Sequence, residues 1–167
     1  GKWVLVNASK SDGKHLWIER VSTNGTVYAT QSDETSPGAI GTLDTTTGQF
    51  HSLFQDPVAE VANTIWSTDE STLIGVVTAA GAPKVTLVDE THPDAQLYAS
   101  LAASFPGQMV DFASHTDDGK LIVVSVYSDT NPGELYLYDR ETGKARFLMQ
   151  GRNIADAAQT LGAKPSR

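Results

Sequence analysis

Thr116-Asp117-Asp118-Gly119-Lys120-Leu121-Ile122-Val123-Val124-Ser125-Val126-Tyr127 runs directly into Ser128-Asp129-Thr130-Asn131-Pro132-Gly133-Glu134-Leu135-Tyr136-Leu137-Tyr138-Asp139. The stretch closes with Arg140-Glu141-Thr142-Gly143-Lys144-Ala145-Arg146-Phe147-Leu148-Met149. Three runs rich in Val, Ile, Leu, Tyr and Phe are punctuated by Asp-Gly, Pro-Gly and Thr-Gly pairs. Glycine supplies the positive φ that tight reversals need, while β-branched and aromatic side chains suit a pleated, half-buried surface. The pattern predicts strands over 121–127, 134–139 and 145–149 joined by hairpins. A fourth strand over 108–114 leads into them and completes the unit.

Upstream, the same alternation predicts strands over 2–8, 15–21, 26–31, 39–43 and 49–54, with turns at 11–14, Asn24-Gly25 and 44–48. Asp56-Pro57 begins a connector that reaches Thr64-Ile65-Trp66. A second unit follows, with a turn at 69–71 and strands over 72–78 and 84–88. A helix takes the place of its fourth strand. Leu97, Leu101 and Phe105 recur at helical spacing within 93–105, Asp94 is placed to cap the start, and Pro106-Gly107 ends it. After Met149 the chain turns polar, with a short helix predicted over 154–161.

Internal repetition is the most informative feature. Pro37-Gly38 and Pro132-Gly133 lie 95 residues apart, as do Asp44 and Asp139, and Thr47-Gly48 and Thr142-Gly143. A weaker middle copy keeps step: Asp69 to Asp118 is 49, Leu73 to Leu121 is 48 and Pro83 to Pro132 is 49. A repeat of that length fits one four-stranded propeller blade, for which about 40–50 residues is usual. The expected fold is all-β, a partial β-propeller of three to four four-stranded blades with one or two short helices. Its units are expected at about 1–56, 57–107 and 108–150, with 151–167 as a linker. A blade cannot bury its own faces, so an incomplete ring leaves apolar surface open. Either further blades of a longer parent chain cover it, or a second copy does.

The chemistry is sparse. Lys plus Arg is 12 against 20 for Asp plus Glu, a net charge of −8. An acidic chain without a basic cluster argues against nucleic acid and anionic membrane as partners. The absence of cysteine excludes disulfides and thiolate metal sites. The chain opens Gly1-Lys2-Trp3 without an initiator Met or signal pattern and reads as an excised piece, with its compartment open between cytoplasm and periplasm or exterior. No Gly-x-Ser-x-Gly elbow occurs, and His15, His51, His92 and His115 fall in no metal-binding spacing. Gly13-Lys14, Gly119-Lys120 and Gly143-Lys144 lack the earlier glycine of a phosphate loop. Asp12-Gly13 and Asp117-Asp118-Gly119 read as turns rather than calcium loops. Ser11 to Trp17 resembles an imperfect sialidase-type Asp box. Asn7-Ala8-Ser9 and Asn24-Gly25-Thr26 match the glycosylation triplet. Trp3, Trp17 and Trp66 are expected to pack in the core. No catalytic, cofactor-binding or metal-binding residue is assigned, and no cofactor is expected.

The segment from about Pro57 to Arg167 resembles the later propeller blades of prolyl oligopeptidase-family serine peptidases of the acylaminoacyl-peptidase or dipeptidyl-peptidase type. The likeness lies in an order of elements. Leu73-Ile74-Gly75-Val76 precedes the helix ending Leu101-Ala102-Ala103-Ser104-Phe105-Pro106-Gly107. Ser114 to Lys120 and Val126 to Gly133 follow, and Leu135-Tyr136-Leu137-Tyr138-Asp139 precedes Thr142-Gly143-Lys144. The resemblance implies a non-catalytic propeller that gates peptide access to a separate α/β-hydrolase domain, which would hold every catalytic residue. A stand-alone propeller serving as a protein-interaction module is the alternative.

Overall fold

A computed structural model describes residues 13–33 and 35–151. It is all-β in class, with three antiparallel sheets of three or four strands and one helix among the described residues. The chain divides into two compact units between Ala95 and Gln96.

The first unit holds two sheets. Strands β1 (His15–Val21), β2 (Val27–Ser32), β3 (Ala39–Leu43) and β4 (Phe50–Phe54) form the first, paired in chain order. Strands β5 (Val61–Trp66), β6 (Leu73–Thr78) and β7 (Lys84–Leu87) form the second. All six residues of β6 are buried, as expected of a continuous apolar run in a central strand. The two sheets share one core of Tyr28, Ile40, Leu73 and Val76, with Phe54, Val61, Trp66 and Val88 packed around it. Each fully buried aliphatic side chain there contributes roughly 1.5–3 kcal/mol. Tyr28 meets Trp66 edge-on with ring centroids 4.8 Å apart, and its hydroxyl accepts the Leu73 N–H at 3.3 Å. Gly41 lets β3 and β4 approach closely: a Cβ there would lie 2.1 Å from the His51 carbonyl oxygen.

The second unit holds β8 (Met109–His115), β9 (Leu121–Tyr127), β10 (Glu134–Asp139) and β11 (Lys144–Gln150), again paired in chain order. Helix α1 (Pro93–Ser104) starts in the first unit and supplies cover for the second. Its Tyr98 hydroxyl donates to the Val110 carbonyl at 2.7 Å, and the Tyr98 ring lies 5.8 Å from Phe112. Just beyond it, Phe105, Tyr136 and Phe147 form a ladder of rings 5.1 and 5.6 Å apart. Pairing places Val110, Phe112, Ile122, Val124, Val126, Tyr136 and Phe147 on this one face.

The first and third sheets are built in the same register. Tyr28 pairs with Thr42, Ile40 with Thr30 and Ile40 with Phe54. Adding 95 to each number gives Val123 with Leu137, Leu135 with Ser125 and Leu135 with Met149, all of which are paired. The irregularity at Ile40/Gly41 recurs at Leu135/Tyr136, again 95 residues on.

Four expectations need correction or placement. The segment read as a connector into Trp66 is strand β5; register shifts at Val61/Asn63 and Ile65/Trp66 break the alternation that would have announced it. The second sheet has three strands where four-stranded blades were expected, and the helix expected in place of its fourth strand is α1, into which Pro93 and the Ala- and Leu-bearing segment behind it turn the chain. Trp17 is not in the core. It lies on edge strand β1 and is 53% exposed. Trp3, the strand predicted over 2–8 and the helix predicted over 154–161 lie outside the described residues.

Candidate functional site

One turn recurs at the head of every sheet. In the first, Ser22 Oγ donates to Asn24 Oδ1, the Thr26 N–H donates to the same oxygen, and Gly25 follows at φ 86°. In the second, Ser67 Oγ donates to Asp69 Oδ1, the Ser71 N–H does likewise, and Glu70 stands at φ 58°. In the third, Thr116 Oγ1 donates to Asp118 Oδ1, the Lys120 N–H does likewise, and Gly119 stands at φ 66°. The pattern is Ser or Thr, any residue, Asp or Asn, then a residue in the left-handed region, where glycine is the ordinary choice. Donors converging on the carboxylates stabilise the charged form. The Ser67 hydroxyl, followed by the Ser71 N–H, holds Asp69 down at about 2. The Thr116 hydroxyl and the Lys120 N–H lower Asp118.

A second turn repeats in the first and third sheets. The Thr46 and Thr47 N–H groups donate to Asp44 Oδ1, and the Glu141 and Thr142 N–H groups donate to Asp139 Oδ1. Both aspartates are lowered by these backbone donors. In the same way, Asp33 caps the Thr35 and Ser36 N–H groups, and Ser128, 95 residues on, caps those of Thr130 and Asn131. Backbone and hydroxyl donors hold Asp33 at about 2.

In the first unit these turns also carry the sheets to one another. Thr23 Oγ1 donates to the Asp69 carbonyl at 2.9 Å, and Asn24 Nδ2 donates to the Ser71 carbonyl at 3.3 Å. Arg20 pairs with Glu70 and lays its guanidinium 4.7 Å from the Trp66 ring centroid. The Asp94 carboxylate accepts the Thr68 N–H at 2.6 Å and its hydroxyl at 2.9 Å. This ties the start of α1 to the second sheet's turn as well as placing an acid in the helix's first turn, where the dipole favours it.

The residues singled out in the sequence are dispersed. His15 begins β1 beside Trp17, with ring centroids 5.9 Å apart; His51 is exposed on β4. His92 Nδ1 accepts the Asp94 N–H at 3.1 Å, and His115 ends β8 with Nδ1 3.1 Å from the Thr116 carbonyl. Among the described residues no three His, Asp or Glu side chains are grouped to hold a metal. No helix there is long and apolar enough to cross a membrane. Asn24 of the glycosylation triplet spends its side chain on Ser22, Thr26 and Ser71. Asp117-Asp118-Gly119 is the turn it resembled, and Asp12 of the Asp-box likeness lies outside the described residues.

Apolar surface is what remains. Phe147, Leu148 and Met149 on β11 and Trp17, Ile18 and Val21 on β1 are exposed, and both are edge strands. The sequence reading did not single out Val123, Leu135, Leu137 and Met149 as a face. The 95-residue offset from Tyr28, Ile40 and Phe54 was the available signal. No protein-family model and no curated protein matches the chain.

Proposed function

We propose that the chain is a three-blade portion of the non-catalytic β-propeller of a prolyl oligopeptidase-family serine peptidase. In that role it is a rigid scaffold limiting the access of peptides to an α/β-hydrolase site carried elsewhere in the parent protein. One observation carries the propeller part of this reading. The first and third sheets share register, irregularity and the Asp44/Asp139 turn at an offset of 95 and the head turn at 94, and the first sheet stacks on the second through that head turn. Stacked sheets of common design are how propeller blades bury faces that none can bury alone. The peptidase part rests on the order of segments from Leu73 to Lys144. Its partners are further blades and a hydrolase domain, or a second copy covering the open faces.

The test pairs two measurements. Light scattering gives the mass of this chain in solution, and the parent is assayed on aminoacyl-nitroanilides. The expected outcome is an inert chain and a parent that cleaves and is blocked by a serine-directed phosphonate. A parent without hydrolase activity would overturn the peptidase reading. It would favour a stand-alone interaction module, for which the open Trp17, Ile18 and Val21 on β1 already speak.

A further inference from the structure

The packing of the first sheet on the second has an unfilled counterpart on the third. Tyr28, Ile40 and Phe54 are the side chains with which β2, β3 and β4 enter the shared core. Their equivalents 95 residues on, Val123, Leu135 and Met149, are brought side by side with Leu137 by strand pairing. They lie on the face opposite Ile122, Val124 and Val126, and the ring contacts of Tyr98 and Phe105 all fall on that other face. Where Phe54 is packed against the core, Met149 is 57% exposed.

The corner beside this face differs in charge from its model in the first sheet. There, Arg20, Thr23 and Asn24 supply a cation and two donors to Glu70 and to the carbonyls of Asp69 and Ser71. Adding 94 gives Ser114, Asp117 and Asp118: no cation, and two carboxylates that only accept. Asp139 and Glu141 line the same depression with them, and Leu121 joins it to the apolar face. Lys120, the cation at this rim, is paired with Glu141.

We propose that this face of the third sheet is a docking surface for a further antiparallel β-sheet whose contacting turn is basic. The repeat supplies the shape of the occupant, since the equivalent face is already covered by a β-sheet in the first unit. The carboxylates supply its charge, because a turn like Ser67-Thr68-Asp69-Glu70 would set acid against acid. The proposal rests on the propeller reading and adds the chemistry of the neighbour.

The test extends the full chain after Arg167 with a second copy of residues 55–107, made in two forms. One form is unchanged, and the other carries Glu70→Lys in the added copy only, which leaves the Asp69 carboxylate to hold its turn. The readout is the rate of Met149 sulfoxidation by peroxide, with circular dichroism reporting retention of the fold. The basic copy is expected to slow Met149 oxidation about tenfold relative to the unextended chain, and the unchanged copy less than about twofold. Asp117→Lys with Glu141→Lys in the original third sheet leaves the Asp118 turn intact and should exchange the two results. Protection by neither copy, or equal protection by both through the reversal, would overturn the proposal. So would protection of the unextended chain that rises with its own concentration, which would assign the face to a second copy. The parent's hydrolase activity is read separately, so a failed docking and a failed peptidase reading are told apart.

Discussion

Gly41 sits in mid-strand, where most side chains would be welcome. Its constraint is the backbone of β4, because a methyl group would be driven to 2.1 Å from the His51 carbonyl oxygen. Backbone cannot swing aside as a long side chain can, so Gly41→Ala should cost about 3 kcal/mol, seen as a lower urea midpoint. Gly75→Ala is the graded control. Its Cβ would meet the Thr86 carbonyl at 3.2 Å, and the loss should be nearer 1 kcal/mol. Asp69 offers a prediction in pH. Its carboxyl is held at about 2 against an ordinary 3.8, a depressed value in the folded state. The stability it confers is therefore present above about pH 4 and lost as pH falls through 2. Asp69→Asn should lower stability by about 1 kcal/mol at pH 7 and flatten the acid limb of urea midpoints measured from pH 5 to 2.

Among the strands, the first and third sheets offer a comparison in which position is constant and burial is not. Phe54 and Met149 lie on equivalent strands, pair with equivalent residues and differ in cover. Phe54→Ala should cost about 3 kcal/mol, since it opens a gap beside Ile40. Met149→Ala should stay within about 0.5 kcal/mol. Equal losses in thermal melts would mean that Met149 is covered in solution and that the third sheet's face is not open. Helix α1 is held at its start by the buried Asp94 accepting from Thr68, and in its middle by Tyr98, whose hydroxyl is pushed up to about 12 by burial. It is a packed element of the fold although, among the described residues, it follows one sheet alone.

At the scale of the whole molecule, the class and most of the elements were legible in the sequence. Strong punctuation marked them: Asn24-Gly25, Pro37-Gly38, Pro132-Gly133 and Thr142-Gly143 all fall between observed strands. Strand β5 was not legible, because Asn63 and Thr64 put two polar residues side by side and shifts of register at both ends of the strand disturb its period of two. Trp17 was misplaced for a related reason: composition marks a side chain as apolar without saying whether its strand is central or at an edge. The candidate face was written in the offset itself, but only coordinates reveal that Phe54 is covered and Met149 is not. The recurrent turn was obscured in its second copy, where Glu70 takes a position that glycine holds in the other two.

The two outer strands of the second and third sheets also differ as hazards in a concentrated sample. Strand β7 is four residues long and carries Lys84, a short charged edge of the kind that resists intermolecular pairing. Strand β11 is seven residues long, exposed throughout, and reads Phe147-Leu148-Met149 behind two cations in a chain of net charge −8. Overall like-charge repulsion between molecules is weakest locally there, so precipitation on storage should begin at β11, and salt that screens the remaining repulsion should hasten it.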